Sequence, residues 1–287
     1  MNYEEMIKSH LADYKVKKLA ITAPQTWRGG KKKYHYILPA DQWDLNFLSQ
    51  FRAESSKWIK DKEIKLHHSF HHLNSSQAVC FNFFYPLIIE GQLSLVLKIL
   101  HVEDEPIEEW AFEKIMPGGE KTNFDFYLKL KSGKEILFEI KYTERGFGKV
   151  PASETYEKQF LNVYRTMLAG KIRMEVAGYE TLAKNYQLLR NIAHVEPGDK
   201  RSLVFICPEN NKKLHKEYQN VLDNLVMPAL HQNIHMVTWE SLLKRLKIQM
   251  EAEPNNLTKL ADHYREFEEK YFPFQIDLKE ENEWASE

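Results

Sequence analysis

The sequence predicts an α/β protein in which helices flank a mixed sheet, with a helical N-terminal extension. Three observations lead to this prediction. Residues 108–143 alternate apolar and polar side chains in three consecutive segments, which is the period of β-strands. Helical spacing dominates before and after that region. Two further apolar segments, 201–208 and 233–239, are separated by a helical one. Strands that alternate with helices favour one sheet covered by helices.

The N-terminal part of the chain is predicted to be mainly helical. Residues 3–18 and 41–52 have helical spacing, whereas residues 21–40 contain two prolines and two glycines and indicate a loop. This arrangement predicts two helices joined by a long, basic connection.

The strongest helical signal runs from residue 74 to residue 100. The asparagine and serines at 74–76 can cap its first turn, because a short side-chain oxygen accepts the free backbone N–H groups there. Pro86 is expected to kink or break this helix, and Gly91 is a second weak point. The segment predicts a helix directly before the strands.

Residues 108–143 predict three sequential strands joined as a meander. The first strand is short and contains Trp110 and Phe112. In "TNFDFYLKLK", phenylalanines and leucines alternate with a polar set that includes Asp125, so the two sets lie on opposite faces. The segment "KSGK" at 131–134 predicts a hairpin turn because it contains a glycine, and "EILFEIKYT" is the returning strand.

The remaining helices are predicted at residues 153–168, 178–194, 211–230, 240–247 and 256–271. We expect three segments in the chain. They are an N-terminal helical extension with a basic loop at 1–70, a core at 71–250, and a C-terminal helix with an acidic tail at 251–287.

The charge distribution limits where nucleic acid could bind. The formal net charge is −1, so the whole chain has no basic signature. Residues 1–35 carry eight Lys/Arg against three acids, and residues 251–287 carry eleven acids against four bases. A nucleic-acid surface would therefore be local. The loop "TWRGGKKKYHY" interleaves cations with aromatics, and it either clamps a nucleic-acid backbone or is simply solvated.

The cysteines and the hydropathy of the sequence indicate a protein of the cytoplasm. Cys80 and Cys207 lie in apolar surroundings without a CxxC neighbour, which favours a reducing environment. The first ten residues contain no apolar run, so we expect no signal peptide. The longest apolar run, 83–89, is far shorter than a membrane span. We expect a cytoplasmic protein without membrane contact.

Three charged residues in the predicted hairpin indicate a site. Glu139 and Lys141 are two residues apart in an apolar strand, so they share one face. A turn at 131–134 places Asp125 opposite about residue 140, next to Glu139. Two carboxylates that close repel unless a proton or a cation lies between them. Mg²⁺ suits such a pair, because it takes oxygen ligands from one or two carboxylates and from water.

The pattern of Asp125, thirteen further residues and then Glu139-Ile140-Lys141 on paired strands resembles the PD-(D/E)XK nuclease superfamily. "HLNSSQAVCFNFF", "FEKIMPGGEKTNFDFYLKL" and "FEIKYTERGFG" are similar to a restriction-endonuclease-like group within it. The likeness covers about residues 70–240 and implies a restriction-endonuclease-like core of helix, three strands, helix and strand. A proline does not precede Asp125, which departs from the pattern of the superfamily.

The resemblance implies an Mg²⁺-dependent phosphodiester hydrolase, namely a DNA endonuclease of restriction or defence type. Mn²⁺ would be a substitute metal, RNA is an alternative substrate, and a homodimer is one option. Asp125 and Glu139 would hold the metal, with the carbonyl of Ile140 as another ligand. Lys141 would orient the attacking water or help to deprotonate it, and a lowered pKa would suit the second task.

Further residues are candidates for the same site. Glu113, at the end of the first strand, would be a third acidic catalytic and metal-binding residue. Glu90 would reach the metal from the long helix. Gln187 or Gln159 would lie near the site on a later helix, as the resemblance implies. Each of these has a simpler interpretation: an exposed strand end, a solvent-facing helical residue, or an ordinary amphipathic helix.

Other functions stay open at this point. Glu139 and Lys141 could form a purely structural ion pair. The chain could act on DNA ends or repair intermediates, or it could be a catalytically inactive nuclease-fold protein that binds nucleic acid or acts as a scaffold. His67, His68, His71 and His72 would form metal-type pairs if that segment were helical. A nucleophile elbow, a phosphate-binding P-loop and a dinucleotide fingerprint are absent from the sequence.

Overall fold

The computed structural model describes residues 2–102, 105–117, 121–151, 153–173, 178–198, 200–252 and 257–273. Contacts between residues divide the chain into two units. The first unit consists of residues 5–92 together with the chain from residue 240 onward. The second unit consists of residues 2–4 and 93–239.

These units divide the chain differently from the predicted boundaries at residues 70 and 250. The helix that precedes the large sheet belongs to the first unit, because its buried polar groups bond to partners in that unit. Asn82 on this helix, for example, donates to the hydroxyl of Tyr271 at 2.8 Å. The predicted acidic tail after residue 273 lies outside the described residues.

In the described residues, strands form a small hairpin and a larger sheet. The hairpin, in the first unit, pairs β1 (Gln25–Thr26) with β2 (Lys33–Tyr34) in antiparallel orientation. The larger sheet belongs to the second unit. Its strands are β3 (Ile107–Ile115), β4 (Asn123–Leu130), β5 (Glu135–Ile140), β6 (Arg201–Cys207) and β7 (Ile234–Thr238).

The larger sheet is mixed and follows chain order, β3-β4-β5-β6-β7. The first three strands form an antiparallel meander, whereas β6 and β7 run parallel to β5. Gly133 has a φ of +89° in the turn between β4 and β5, a conformation that glycine adopts without strain. The predicted meander, the hairpin turn and the mixed sheet flanked by helices are confirmed.

The helices are, in chain order, α1 (Tyr3–Leu19), α2 (Arg52–Asp61), α3 (Ser76–Ile89), α4 (Leu95–Ile99), α5 (Glu154–Gln159), α6 (Arg165–Met167), α7 (Tyr179–Lys184), α8 (Tyr186–Ile192), α9 (Lys212–Asn224), α10 (Trp239–Ala252) and α11 (Thr258–Tyr271). Short 3₁₀ segments occupy Ala40–Asn46, Ser49–Phe51 and Pro228–Asn233, and a π-helical turn, Phe160–Tyr164, links α5 to α6. Among the described helices, none is both long enough and apolar enough to cross a bilayer.

The helix predicted from 74 to 100 is two helices in the structure. Ser75 caps α3, because its hydroxyl accepts the N–H of Ala78. Pro86 lies inside α3 and does not end it. The break comes at Gly91, whose φ of +67° belongs to the left-handed region that favours glycine. Glycine, rather than proline, therefore separates α3 from α4.

The helix predicted at 41–52 is replaced by 3₁₀ segments, and α2 begins only at Arg52. The buried side chain of Asn82 explains the difference. Its Oδ1 accepts the N–H of Leu48 at 3.0 Å, and its Nδ2 donates to the carbonyl of Asn46 at 3.0 Å. These bonds use backbone groups that a continuous helix would pair internally.

The predicted helices at 153–168 and 178–194 are also interrupted. The first passes through the π-helical turn between α5 and α6, and the second breaks at Asn185 before α8 begins. Residues four apart on a helix lie on one face. The break therefore sets the direction in which Gln187 and Asn191 point from α8.

The apolar core of the second unit covers one face of the large sheet. Tyr127, Leu137 and Leu203 lie side by side on three adjacent strands and pack against buried side chains of α7, α8 and α9. Glu139 and Lys141 follow Leu137 on this same face, since alternate residues of a strand share a face. The two charges thus lie at the end of a buried apolar surface.

We expect the substitution Leu189→Ala to lower the free energy of unfolding by about 2–5 kcal/mol, because it opens a cavity in this core. Leu189 on α8 is 0% exposed. The matched control is Leu161 in the π-helical turn, which is 51% exposed, and Leu161→Ala should change stability by less than about 0.5 kcal/mol. Denaturant unfolding followed by circular dichroism measures both. Equal effects would contradict the packing of α8 on the sheet.

Candidate active site

The strand register brings Asp125 and Glu139 together. The β4–β5 ladder pairs Phe126 with Phe138, so the next position along places Asp125 opposite Glu139. The sequence predicted this pairing to within one residue. Directly opposite residues share a face of the sheet and have Cβ atoms about 5 Å apart. The carboxylate of Asp125 also accepts the backbone N–H of Ile140 at 2.6 Å, which ties it to the neighbouring strand.

Glu113 extends this pair to a row of three acids. The β3–β4 ladder pairs Lys114 with Phe124, so Glu113 stands at the position facing Asp125. Its φ is +53°, in the left-handed region that residues other than glycine rarely adopt. The side-chain amide of Asn123 donates to its carboxylate. We refer to Glu113, Asp125 and Glu139 as the acidic row.

Within the acidic row, Glu139 receives hydrogen bonds from three side chains. It is 4% exposed, and a buried carboxylate requires hydrogen-bond donors or an opposite charge. The ammonium of Lys141 lies 2.7 Å from Oε1, and the amide of Gln187 donates to the same oxygen at 2.6 Å. The amide of Asn191 donates to Oε2 at 2.9 Å. The charges in the strand therefore face α8.

The loop after β5 holds Gln187 in place. The backbone N–H of Gly148 donates to Oε1 of Gln187, and the N–H of Gln187 donates to the carbonyl of Gly148, both at 3.0 Å. A Cβ atom on Gly146 would lie 2.7 Å from a carboxylate oxygen of Glu217, so a side chain here would require the Glu217 carboxylate to move. The two backbone hydrogen bonds between Gly148 and Gln187 therefore attach the loop after β5 to the start of α8.

The backbone of Lys141 is fixed from two sides. Its N–H donates to the carbonyl of Ile206 at 2.8 Å, and its carbonyl accepts the indole N–H of the fully buried Trp239 at 3.0 Å. The ammonium lies 5.8 Å from the centre of the Phe147 ring. These contacts hold Lys141 at the end of β5.

Electrostatics raise the pKa of Asp125 well above its ordinary value of 3.8. Burial is the main cause, and the charges of Glu139 and Glu113 act in the same direction. Lys141 and the N–H of Ile140 oppose the increase without cancelling it. Three carboxylates against one ammonium leave an excess of negative charge, which a proton or a cation would relieve.

The pKa of Lys141 is raised, contrary to the lowered value that would suit a general base. Burial alone would lower this pKa, but Glu139, Glu144 and Asp125 together outweigh burial. Lys141 is thus a charged ammonium. In this environment it is better suited to donating hydrogen bonds than to accepting a proton.

The donor set fits Mg²⁺ as a partial coordination shell. Within the described residues, no group of three or more His, Cys, Asp or Glu side chains is arranged to hold a metal ion. Mg²⁺ does not require such a cage, because it commonly keeps several waters and binds one or two carboxylates. Asp125 and Glu139 meet that requirement. The metal-ligand roles of Asp125, Glu139, Ile140 and Glu113 all stay predictions.

The structure places the remaining candidates as follows. Gln187 contacts Glu139, whereas Gln159 lies at the end of α5. Glu90 belongs to the first unit, where its carboxylate lies 3.5 Å from the ammonium of Lys259. Asn191 was not among the predicted site residues. Its spacing of four from Gln187 on one helix was the signal that could have identified it.

Comparison with known proteins gives one family. The family model described as restriction endonuclease associating with ARP matches residues 8–272. No curated protein and no solved structure gave a significant match.

We expect Asp125→Asn to raise the melting temperature at neutral pH, because it removes a repelled carboxylate and keeps an oxygen for the N–H of Ile140. The folded state raises the pKa of Asp125. Protonated Asp125 therefore contributes stability below about pH 3.8, and this stability is lost as the pH rises through the raised pKa. The difference in melting temperature should be small near pH 4 and largest above neutrality.

Differential scanning fluorimetry between pH 4 and pH 8 in the presence of chelator measures this difference. For a protein of this size, each kcal/mol corresponds to about 2–4 °C. Asp223→Asn is the control, since Asp223 is exposed on α9 in the same unit. A variant of Asp125 that melts lower than the wild type at neutral pH would contradict the repulsion within the acidic row.

Proposed function

Since this chain belongs to the family described as restriction endonuclease associating with ARP, we propose that it is an Mg²⁺-dependent nuclease that cuts DNA in a restriction or defence role. The observation that carries the proposal is the acidic row beside Lys141. Family membership supports a nuclease-like role. The residues of the row support the chemistry, because they are the donor types that phosphodiester hydrolysis with a divalent ion requires.

In this proposal Asp125 and Glu139 hold the metal, and Ile140 and Glu113 are candidates for further ligands. When bound, Mg²⁺ would polarise the phosphoryl oxygen and neutralise the charge that develops on it. Mn²⁺, which also prefers carboxylate and water oxygens, is the expected substitute. The raised pKa of Asp125 supports this assignment, since the site carries more negative charge than Lys141 balances.

Lys141 positions water or phosphate in this scheme. Its ammonium has three donors, of which one serves Glu139 at 2.7 Å. Because nearby carboxylates keep it charged, we assign it to orienting the attacking water and stabilising charge on the phosphate. Of the two roles predicted for Lys141, orienting the attacking water and helping to deprotonate it, we therefore propose the first.

Gln187 and Asn191 hold the carboxylate of Glu139 in a fixed orientation. They donate to different oxygens, so together they define the plane of the carboxylate. Fixed donors lower the reorganisation that a reacting site otherwise undergoes. We assign both as positioning residues rather than as groups that touch the substrate.

DNA is the proposed substrate, and RNA is the alternative that the same chemistry allows. The description of the family names an association with ARP, and we include that association in the proposal. Besides the association with ARP, we propose a homodimer as a second assembly of this chain. The cytoplasm stays the expected compartment.

The test is cleavage of plasmid DNA, single-stranded DNA and RNA by the purified chain with Mg²⁺, with Mn²⁺ and with chelator. Wild-type protein should cut DNA in a metal-dependent way. Lys141→Ala and Asp125→Asn should each lower the rate by about two to three orders of magnitude, the range typical of losing one preorganised group that stabilises charge in the transition state. Glu113→Gln should lower it less.

Lys129→Ala is the matched control, because Lys129 lies on the adjacent strand β4 and is partly exposed. Its activity should stay within about twofold of the wild type, as expected of a surface substitution away from the site. Cleavage that survives in both Lys141→Ala and Asp125→Asn would remove the acidic row from the mechanism. A wild-type chain that cuts none of the three substrates with either metal would favour the inactive nuclease-fold alternative.

A further inference from the structure

The first unit carries a basic and aromatic surface around the β1–β2 hairpin, which the cleavage chemistry does not use. We call it the hairpin surface. Its members are Trp27, Arg28, Lys31, Lys32, Lys33, Tyr34, Tyr36 and His72.

Among the described residues, the positive charge of the hairpin surface has no carboxylate partner. Between Asp13 and Asp41 the sequence has no acidic residue. Arg28 and the three lysines at 31–33 are all exposed. Within the part of the chain that the structure describes, none of these four residues has a carboxylate within ion-pair distance. A cluster of unpaired cations attracts a polyanion.

Aromatic rings lie among these cations. Trp27 is 48% exposed, which is unusual for the largest apolar side chain. The guanidinium of Arg28 lies 5.3 Å from the centre of its ring, and the ammonium of Lys32 lies 5.3 Å from the ring of Tyr34. Rings and cations that alternate on a surface can stack bases and contact phosphates at the same time.

The hairpin is held rigidly at its base. The ammonium of Lys15 is 0% exposed and donates to the carbonyl of Ala23 at 2.8 Å and to that of Ile37 at 2.7 Å. These carbonyls lie before β1 and after β2. The N–H of Leu73 donates to the carbonyl of Tyr36 at 3.1 Å. These bonds fix both ends of the hairpin within the first unit, which lowers the entropic cost of ordering its residues on a ligand.

His72 adds an unsatisfied polar atom to this surface. It is 7% exposed, and its Nε2 has no hydrogen-bond partner among the residues that the structure describes. The ring meets Trp27 and Tyr36 edge-on, at centroid distances of 6.2 Å and 6.3 Å. Burial lowers the pKa of His72 to about 4, so the ring is neutral. Buried polar atoms normally have a partner, and a bound ligand would supply one.

A metal does not explain this histidine. The segment from 67 to 72 is not helical, so its histidines do not form the i, i+4 pairs of a helical metal site. Among the described residues no set of three metal-ligating side chains surrounds an ion.

We propose that the hairpin surface binds single-stranded nucleic acid, with an unpaired base stacked on Trp27 and phosphates on the lysines at 31–33. Phosphates match the uncompensated charge. An exposed ring can stack only on a base that has left the duplex stack, and His72 can bond to the edge of that base. This binding goes beyond the proposed cleavage and does not require that the acidic row cuts anything.

The test is the affinity of the full chain, in chelator, for a fluorescein-labelled oligo-dT of about 20 nucleotides and for a duplex of equal length, measured by fluorescence anisotropy. Trp27→Ala should weaken binding of the single strand by roughly 5- to 150-fold, the loss expected for one stacked base. Trp27→Phe should keep most of the affinity. Affinity for the duplex should change less than about twofold with either variant, since its bases are already stacked.

The lysines are tested through the salt dependence. Replacing Lys31, Lys32 and Lys33 together by Ala should reduce the slope of log K against log salt by about 2, because each contact with a single-stranded phosphate contributes roughly 0.7. The matched control replaces Lys57, Lys62 and Lys65, which are exposed in the same unit and carry the same total charge. The control should leave the slope unchanged.

Several results would overturn the proposal. If Trp27→Ala weakens the single strand and the duplex equally, no base stacks on the ring. Equal slopes for the two triple variants would remove the phosphate contacts. A wild-type chain that binds the single strand but cuts no substrate supports this inference and removes the proposed function. Metal-dependent cleavage together with unchanged binding in all the variants supports the proposed function and removes this inference.

Discussion

The burial of the Glu139 carboxylate at the end of an apolar sheet face is the constraint on which the second unit depends. A carboxylate in that position requires donors, and three side chains from two parts of the chain supply them. Lys141 comes from the same strand, while Gln187 and Asn191 come from α8. The break in the helix before α8 and the glycine loop that grips Gln187 both serve this carboxylate. The helix break and the loop are therefore two irregularities that act on one buried carboxylate.

The acidic row holds three carboxylates close together, although their repulsion lowers the stability of the fold. Asp125 lies between two acids, and burial raises its pKa further. Glu113 adds a left-handed backbone, which costs on the order of 1–3 kcal/mol in a residue other than glycine. Such costs concentrate at functional sites, where stability is traded for chemistry. A purely structural ion pair between Glu139 and Lys141 would need neither the second carboxylate nor the third.

The pairing of β4 with β5 was predictable, because strand alternation and a short turn together fix the register to within one residue. The contact of Glu139 with Gln187 rather than Gln159 was not predictable. It depends on a helix break at Asn185 that no local sequence signal marks. The position of Glu113 was only a candidate, because the sequence does not show a left-handed residue in a strand. The unit boundaries differed because long-range hydrogen bonds, such as those of Asn82, assign α3 to the first unit.

The bond between Asp125 and the N–H of Ile140 gives the site a built-in indicator. That amide lies 15 residues along the chain from the side chain that accepts its proton, so its bond depends on the orientation of the Asp125 carboxylate. A ligand that moves the carboxylate away would break this hydrogen bond. The amide proton of Ile140 would then be less deshielded and would exchange with solvent faster. The nuclear magnetic resonance signal of this one backbone position would therefore detect any ligand that displaces the carboxylate, without a label on that ligand.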